Sequence, residues 1–263
     1  MGRKFGQHFL VNPHVLDRLM ERAAVRPGEP ILEVGPGRGA LTERLLAAGA
    51  RIAAVEIDPE LIAQLNVRWG RNPAFRSIPG DILKTPLDAA ALFGSETPYS
   101  VIANLPYYLT TPLLFRFIRE RGRFVRLLIM VQREVADRIV ASPRDGHAYG
   151  SLSIAVQQAF SVEQVLRVPA TAFMPRPKVE SAVVELVPRP PHWPAGIEAG
   201  FLDYVKGLFS QRRKHLAGTL RRAQPPWPNE RLEAALAIVG ERRPEALTPE
   251  EHAQVYALLR GLT

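Results

Sequence analysis

Hydrophobic positions along the first two thirds of the chain follow two alternating rhythms. Residues 30–34 (Pro-Ile-Leu-Glu-Val) and 51–56 (Arg-Ile-Ala-Ala-Val-Glu) are short, nearly unbroken apolar runs, as expected of strands buried on both faces. Between them, residues 40–48 carry apolar side chains at helical spacing, and Gly49 stands where a helix is capped. Pro59 is a favoured first helical residue, and Leu61, Ile62 and Leu65 share one side of the helix it opens. Further strands are predicted at 75–78, 99–103 and 126–131, with helices from Pro112 to about Arg119, at 133–140 and at 152–159. A late pair of strands, 162–168 and 181–187, has no clear helix between its members, which predicts an antiparallel pair at one edge. Strands alternating with helices make a parallel sheet covered on both faces.

The pattern breaks at residues 188–194 (Pro-Arg-Pro-Pro-His-Trp-Pro), where proline and the residues preceding it resist helix. Beyond this linker no strand is predicted. Residues 201–222, 230–239 and 249–259 read as helices, with Pro225, Pro226 and Pro228 separating the first two. The expected organisation is an α/β domain over residues 1–188 and a small all-helical domain over 189–263.

Composition sets limits on the chemistry. The 263 residues include no cysteine, which excludes disulfides, thiolate catalysis and cysteine-based metal centres; no metal is expected. A chain of this length removes roughly three quarters of its unfolded surface from water, so it needs no such staple. No apolar run approaches the roughly 18 residues of a membrane span. The basic start of the chain is interrupted at Asn12 and Pro13, unlike a signal peptide, so a cytoplasmic protein with no membrane partner is expected, acting as a monomer.

Lys and Arg number 34 against 26 Asp and Glu, a net charge of +8. Between Tyr204 and Asn229 stand Lys206, Arg212, Arg213, Lys214, Arg221 and Arg222 with no acid among them. A second block holds Arg116, Arg119, Arg121, Arg123 and Arg126, interrupted only by Glu120. Such blocks fit either phosphate binding or a solvated helix face.

The strongest local signal is the run Glu33-Val-Gly35-Pro-Gly37-Arg-Gly39 at a strand-to-helix junction. In open α/β sheets ligands bind at the carboxyl ends of strands, where glycines let the backbone approach them. Glu56 ends the next strand, placed to accept from both hydroxyls of a ribose. Gly35-x-Gly37-x-x-Ala40 also satisfies the dinucleotide fingerprint, which leaves a nicotinamide or flavin cofactor open. Three features favour S-adenosylmethionine instead. Glu33 stands two residues before the first glycine, a place where methyltransferases resembling this chain carry an acid. Asp81, after the third strand, is placed to accept from an adenine amino group.

The third feature is Asn104-Leu105-Pro106-Tyr107, at the carboxyl end of the fourth predicted strand. It resembles the tetrapeptide of the amino-methyltransferases. The exocyclic amine of adenine is a poor nucleophile because its lone pair is delocalised into the ring. An Asn carbonyl and the backbone carbonyl of Leu105 can accept from its hydrogens, aligning the nitrogen and stabilising positive charge as it attacks. Pro106 fixes the backbone direction, and Tyr107 offers a ring on which an extruded base stacks. No strong general base is required.

Over nearly the whole chain the sequence resembles the KsgA family. The resemblance lies in residues 6–10 (Gly-Gln-His-Phe-Leu), 33–37, 55–58 (Val-Glu-Ile-Asp), 104–108 and 131–134 (Val-Gln-Arg-Glu). It continues in 149–153 (Tyr-Gly-Ser-Leu-Ser), 173–179 (Phe-Met-Pro-Arg-Pro-Lys-Val) and 209–214 (Phe-Ser-Gln-Arg-Arg-Lys). It implies a Rossmann-like, S-adenosylmethionine-dependent methyltransferase fold with a seven-stranded, mostly parallel sheet and a small helical C-terminal domain. The implied activity is dimethylation of N6 on two adjacent adenines in the 3′-terminal hairpin loop of small-subunit (16S) ribosomal RNA, leaving S-adenosylhomocysteine. By the same resemblance His8 and Leu10 close over the cofactor, and Gly35 and Gly37 line its methionine side. Glu56 holds its ribose and Asp81 its adenine, while Asn104 touches both cofactor and target. Phe173 is the second face of a base sandwich with Tyr107. Arg212, Arg213, Lys214, Arg221 and Arg222 grip ribosomal RNA, while Phe201, Val205, Leu208, Phe209, Leu216 and Leu220 recur at helical spacing as core. The family usually has Asn where this chain has His8. The alternatives are an Erm-type enzyme acting on large-subunit rRNA and a non-catalytic assembly or transcription factor on the same fold.

Overall fold

The computed structural model describes residues 7–212, 214–223 and 226–262. Its elements begin with β1 (Phe9–Leu10), α1 (Pro13–Ala23), β2 (Pro30–Val34), α2 (Ala40–Ala47) and β3 (Arg51–Glu56). There follow α3 (Pro59–Trp69), β4 (Phe75–Pro79), α4 (Ala89–Phe93), β5 (Tyr99–Asn104), α5 (Thr110–Arg119) and β6 (Phe124–Gln132). Next come α6 (Arg133–Val140), α7 (Ser151–Ala159), β7 (Phe160–Val168), β8 (Phe173–Met174) and β9 (Ser181–Pro188). The helices α8 (Ala195–Ser210), α9 (Leu216–Arg221), α10 (Asn229–Val239) and α11 (Pro249–Arg260) complete the chain.

Seven strands form one sheet in the order β4-β3-β2-β5-β6-β9-β7. The pairs β2·β3, β2·β5, β3·β4 and β5·β6 are parallel, and β9 runs antiparallel to β6. The fold is Rossmann-like. The chain runs outward from β2 through β3 to β4, then returns to lay β5 on the other side of β2. That reversal sets the carboxyl ends of β2 and β5 side by side, the place where open α/β sheets bind ligands. Strands this apolar stay straight and buried because both faces are covered: Ile31, Leu32, Ala53, Val101, Ile102, Leu128 and Ile129 are wholly or almost wholly shielded.

The chain divides into two compact units. One contains the sheet, running to Ala136 and resuming over Val162–Pro188; the other contains Asp137–Ser161 and the chain from Arg189. The helical unit therefore includes a segment that the sequence assigned to the first domain. Ala141, Tyr149 and Ile154 pack in one apolar cluster with Phe201, Val205 and Tyr256, and the Tyr149 hydroxyl donates to the Leu247 carbonyl at 2.7 Å. Contacts so far apart in sequence leave no trace in local periodicity.

Three further differences have identifiable causes. Asn12 and Pro13, read above as interrupting an apolar stretch, begin α1: the Asn12 side chain accepts from Val15 N at 3.2 Å and Pro13 is the first helical residue. Strands β1 and β8 form a two-residue antiparallel ladder, Phe9 opposite Met174 and Leu10 opposite Phe173, too short to show a rhythm. The helix predicted over 201–222 is two helices. Its break is held by long-range hydrogen bonds, including Leu216 N to Arg242 O at 3.0 Å. Phe201, Val205, Leu208, Leu216 and Leu220 are buried as core.

His252 lies wholly buried in the helical unit, one ring nitrogen 2.9 Å from the Pro244 carbonyl. Burial pulls its pKa from 6.5 down to about 4. Below pH 6.5 the unfolded chain takes up a proton that the folded one refuses, so stability falls as pH drops from about 6.5 towards 4. The loss reaches about 3 kcal/mol at most. In chemical denaturation His252→Leu is expected to gain on the parent as pH drops from about 6.5 towards 4; a constant difference would show that His252 does not titrate in this way.

Candidate active site

The loop after β2 is shaped by glycine. Gly37 has φ of 59°, and a Cβ there would stand 2.9 Å from two carbons of the Phe9 ring. A side chain there is disfavoured both by backbone strain and by this contact, which would force the Phe9 ring to move. Gly35, at φ of 63°, would set its Cβ 3.5 Å from Pro106. The loop thus threads between the β1 arm and the turn after β5.

Two carboxyl groups lie under the loop in different surroundings. Glu56, at the end of β3, is 4% exposed. Its Oε2 accepts from Gly37 N at 3.2 Å, and its Oε1 from Ile57 N at 2.9 Å and Asp58 N at 3.0 Å. These backbone donors fix its orientation at the strand tip. Glu33 is buried within β2 and receives one hydrogen bond, from the Thr42 hydroxyl at 2.7 Å. Burial raises its pKa from 4.5 to about 8; the Thr42 bond opposes the shift and the Glu56 charge adds to it.

Asn104 ends β5. Its Nδ2 donates to the His8 carbonyl at 3.3 Å, while among the described residues its buried Oδ1 has no partner. Leu105 N donates to Met130 O at 3.0 Å, continuing the ladder past the end of β5 and fixing where the Asn104 side chain emerges. Tyr107 follows Pro106, and its hydroxyl pairs with Ser181 Oγ at 2.7 Å. Burial raises the pKa of Tyr107 and the Ser181 bond opposes it, so the phenol stays protonated.

A cavity of about 520 Å³ connects these groups, lined by Gly35, Gly37, Glu56, Asn104, Tyr107 and His8 among others. Leu10, Leu105 and Pro106 also face it. Of the residues expected in the site, the structure does not bring Asp81 or Phe173 to the cavity wall. Asp81 follows β4 and accepts from Leu83 N at 2.9 Å. Burial, then the charges of Asp81 and Glu56, raise the pKa of Tyr108, which does line the cavity. Phe173 is 4% exposed and packs in the apolar core with Leu10, its ladder partner. The ring beside Tyr107 is His8, with centroids 5.8 Å apart and planes tilted by 31°.

The arginine expectations divide. The Arg212 guanidinium pairs with Glu245 and donates to the carbonyls of Gly146 at 2.7 Å and His147 at 3.3 Å, so it clasps the helical unit internally. Arg213 lies outside the described residues. Lys214, Arg221 and Arg222 are exposed. In the second basic block Arg116 holds Glu120 at 2.8 Å and Thr85 O at 2.6 Å, and Arg121 is 6% exposed. Arg126 lies 3.6 Å from Glu29 and 3.8 Å from Glu185. That block serves mainly the fold.

Sequence reasoning missed Thr42 and Ser181, the hydroxyls that hold Glu33 and Tyr107. Both sit in regular elements where nothing in spacing singles them out. It also missed Arg38, whose guanidinium carbon lies 4.7 Å over the Phe9 ring at the cavity rim. Among the described residues no cluster of His, Asp or Glu suits a metal ion, and no helix is long and apolar enough to cross a membrane.

The state of Glu33 has a measurable consequence. Between pH 4.5 and about 8 the folded chain holds a proton that the unfolded chain has released, so stability falls as pH rises through this window. Each pH unit costs about 1.4 kcal/mol. Glu33→Gln removes this dependence, so the variant is expected to gain on the parent steadily from pH 5 to pH 8 in denaturant titrations. A constant difference would mean that Glu33 ionises normally.

A family model described as ribosomal RNA adenine dimethylase matches residues 1–260. The chain is 43% identical to a ribosomal RNA small subunit methyltransferase A of Geobacter metallireducens, over 99% of this chain and 96% of the relative. It is 40% identical to the same-named protein of Lactobacillus delbrueckii, over 96% and 88%. Among solved structures, a dimethyladenosine transferase from Plasmodium falciparum superposes with a TM-score of 0.77 at 25% identity, covering 94% of this chain and 96% of that one. The 23S rRNA methyltransferase ErmE superposes with a TM-score of 0.73 at 25% identity, covering 96% and 99%. This chain belongs to the ribosomal RNA adenine dimethylase family.

Proposed function

We propose that this chain dimethylates N6 of two adjacent adenines in the 3′-terminal hairpin loop of small-subunit (16S) ribosomal RNA, with S-adenosylmethionine as methyl donor, during small-subunit assembly in the cytoplasm. The observation that carries this reading is the Asn104 Oδ1, buried at the tip of β5 beside the glycine loop and Glu56 and without a hydrogen-bond partner among the described residues. A buried acceptor without a donor is costly unless a ligand supplies one. An amine hydrogen is such a donor.

The residues present fit this methyl donor. The loop is kept free of side-chain bulk at Gly35 and Gly37, and the Glu56 carboxylate is an acceptor held at the strand tip for ribose hydroxyls. Asp81, one strand further out, would hold the adenine of the donor. When bound, S-adenosylmethionine supplies a methyl group on positively charged sulfur. The protein supplies alignment: Asn104 Oδ1 and the Leu105 carbonyl accept from the target amine and draw its lone pair towards the methyl group. As the nitrogen becomes positive, both oxygens stabilise it without moving. Its proton then passes to water, so the reaction requires no strong general base. Tyr107, its hydroxyl tied to Ser181, presents a ring of fixed orientation to the flipped base.

Relatives at 40% identity or above over nearly the whole chain bear the small-subunit name, which supports that substrate over the large-subunit rRNA named for ErmE. A purely non-catalytic role would have no use for an oriented, unpaired Asn104 oxygen.

Asn104→Ala is expected to lower turnover at least about 100-fold. The assay is mass spectrometry of digested rRNA from undermethylated small subunits, with protein-free large-subunit rRNA as the comparison. Near-normal N6,N6-dimethyladenosine from the variant, or methylation of the large-subunit rRNA alone, would refute the reading. Reversing charge at Lys214, Arg221 and Arg222 together should weaken subunit binding and flatten its salt dependence by about one unit of log–log slope for each phosphate no longer held. Donor affinity should hold. An unchanged salt slope would remove these residues from RNA binding.

A further inference from the structure

The turn after β5 carries two neighbouring tyrosines that face different ways. Tyr107–Leu109 form a single 3₁₀ turn, in which successive side chains diverge by about 120°. Tyr107 is tied to Ser181 Oγ at 2.7 Å. Tyr108 instead is 57% exposed and lines the cavity together with Glu56 and Ile57. After burial, the charges of Asp81 and Glu56 are what raise the pKa of its phenol, so the ring lies near both carboxylates and stays neutral beside them. Helix α5, which follows directly, is tied to the loop bearing Asp81: the Arg116 guanidinium donates to the carbonyls of Ile82 and, at 2.6 Å, of Thr85. That clasp holds the turn against the loop.

We propose that the Tyr108 ring covers the adenosine half of the methyl donor, stacking on its adenine, while Tyr107, the preceding residue, serves the target base. This deepens the proposed function and rests on its choice of donor. Glu56 and Asp81 are the groups assigned there to the donor's ribose and adenine, and carboxylates satisfy only the polar edges of a nucleoside. The faces of a purine are apolar and need other partners. Beside the two acids, Ile57 and Tyr108 offer apolar surface that is 43% and 57% exposed. A flat ligand takes its edges from the acids and a face from the ring. Tyrosine suits such an exposed cover, because its face stacks while the hydroxyl at its edge stays in water. One short turn thereby presents a ring to each of two purines, and α5 anchors both.

Calorimetric titration of the full-length protein with two probes tests the assignment. S-adenosylhomocysteine carries the whole donor framework, and 5′-methylthioadenosine carries the adenosine half without the amino acid. Stacking on one ring contributes enough for Tyr108→Ala to raise Kd for both probes by a similar factor, about 10-fold or more. Tyr108→Leu, apolar but not flat, should lose most of the same affinity. Tyr108→Phe should bind both probes within about threefold of the parent, because a flat ring suffices. At saturating donor, KM of Tyr108→Ala for undermethylated small subunits should stay within about twofold of the parent. Thermal melts of the unliganded variants confirm folding. Unchanged Kd values in Tyr108→Ala, or a loss confined to S-adenosylhomocysteine, would overturn the proposal. A raised subunit KM with normal probe binding would also overturn it and give the ring to RNA. An equal loss in Tyr108→Phe and Tyr108→Ala would transfer the role to the hydroxyl and overturn stacking. A parent protein that binds neither probe sinks the choice of donor beneath this inference, whereas a parent that binds both, with Tyr108→Ala equally tight, sinks this inference alone.

Discussion

An amide has an acceptor and a donor end, and burying either unpaired costs on the order of 1–3 kcal/mol. In this chain Asn104 commits its donor to the His8 carbonyl and leaves its buried acceptor without a partner among the described residues. The surroundings hold it in that state. The backbone of Leu105 continues the ladder to Met130, Pro106 lies against Gly35, and the arm carrying His8 is held through Pro175. Each contact removes a route by which the side chain might turn to satisfy itself. The reading of the site as a place where an amine is aligned and its developing charge stabilised depends on this one retained oxygen.

The electrostatics beneath the loop also follow from placement. Glu56 and Glu33 sit on adjacent strands, yet three backbone N–H groups orient the first while a single hydroxyl holds the second. The buried acid responds by keeping its proton towards about pH 8. A site for a positively charged donor thus has a fixed acceptor at the strand tip and a neutral acid behind it. Neither the charge pattern nor the net charge of +8 bears on this arrangement. Much of the arginine that made the sequence look suited to nucleic acid is used internally: Arg212 clasps a loop, and Arg116, Arg121 and Arg126 bind carbonyls or acids of their own unit.

Most of the sheet was legible because its signals are local. The apolar runs at 30–34 and 51–56 are strands over those same residues, and the glycine run and Asn104 fall at strand tips as their context required. What escaped was fixed by pairing across long stretches of chain. Nothing in Phe9–Leu10 announces a strand until Phe173–Met174 lies beside it, and that pairing turns Phe173 into the core while leaving His8 next to Tyr107. The helix expected over 201–222 kept a helical rhythm through its break, because Leu208 and Leu216 are both buried although hydrogen bonds to distant residues separate their helices. Residues 137–161 gave no sign that they pack with the helical unit, since their partners lie beyond residue 196.

A crystal structure of the protein with S-adenosylhomocysteine bound tests the role of Asn104 most directly. The product is expected between the glycine loop and Glu56, with its sulfur turned towards Asn104 and the Asn104 oxygen still free of protein donors. Product seated away from the tips of β2 and β5, or an Asn104 oxygen bonded to a neighbouring protein group, would contradict that role.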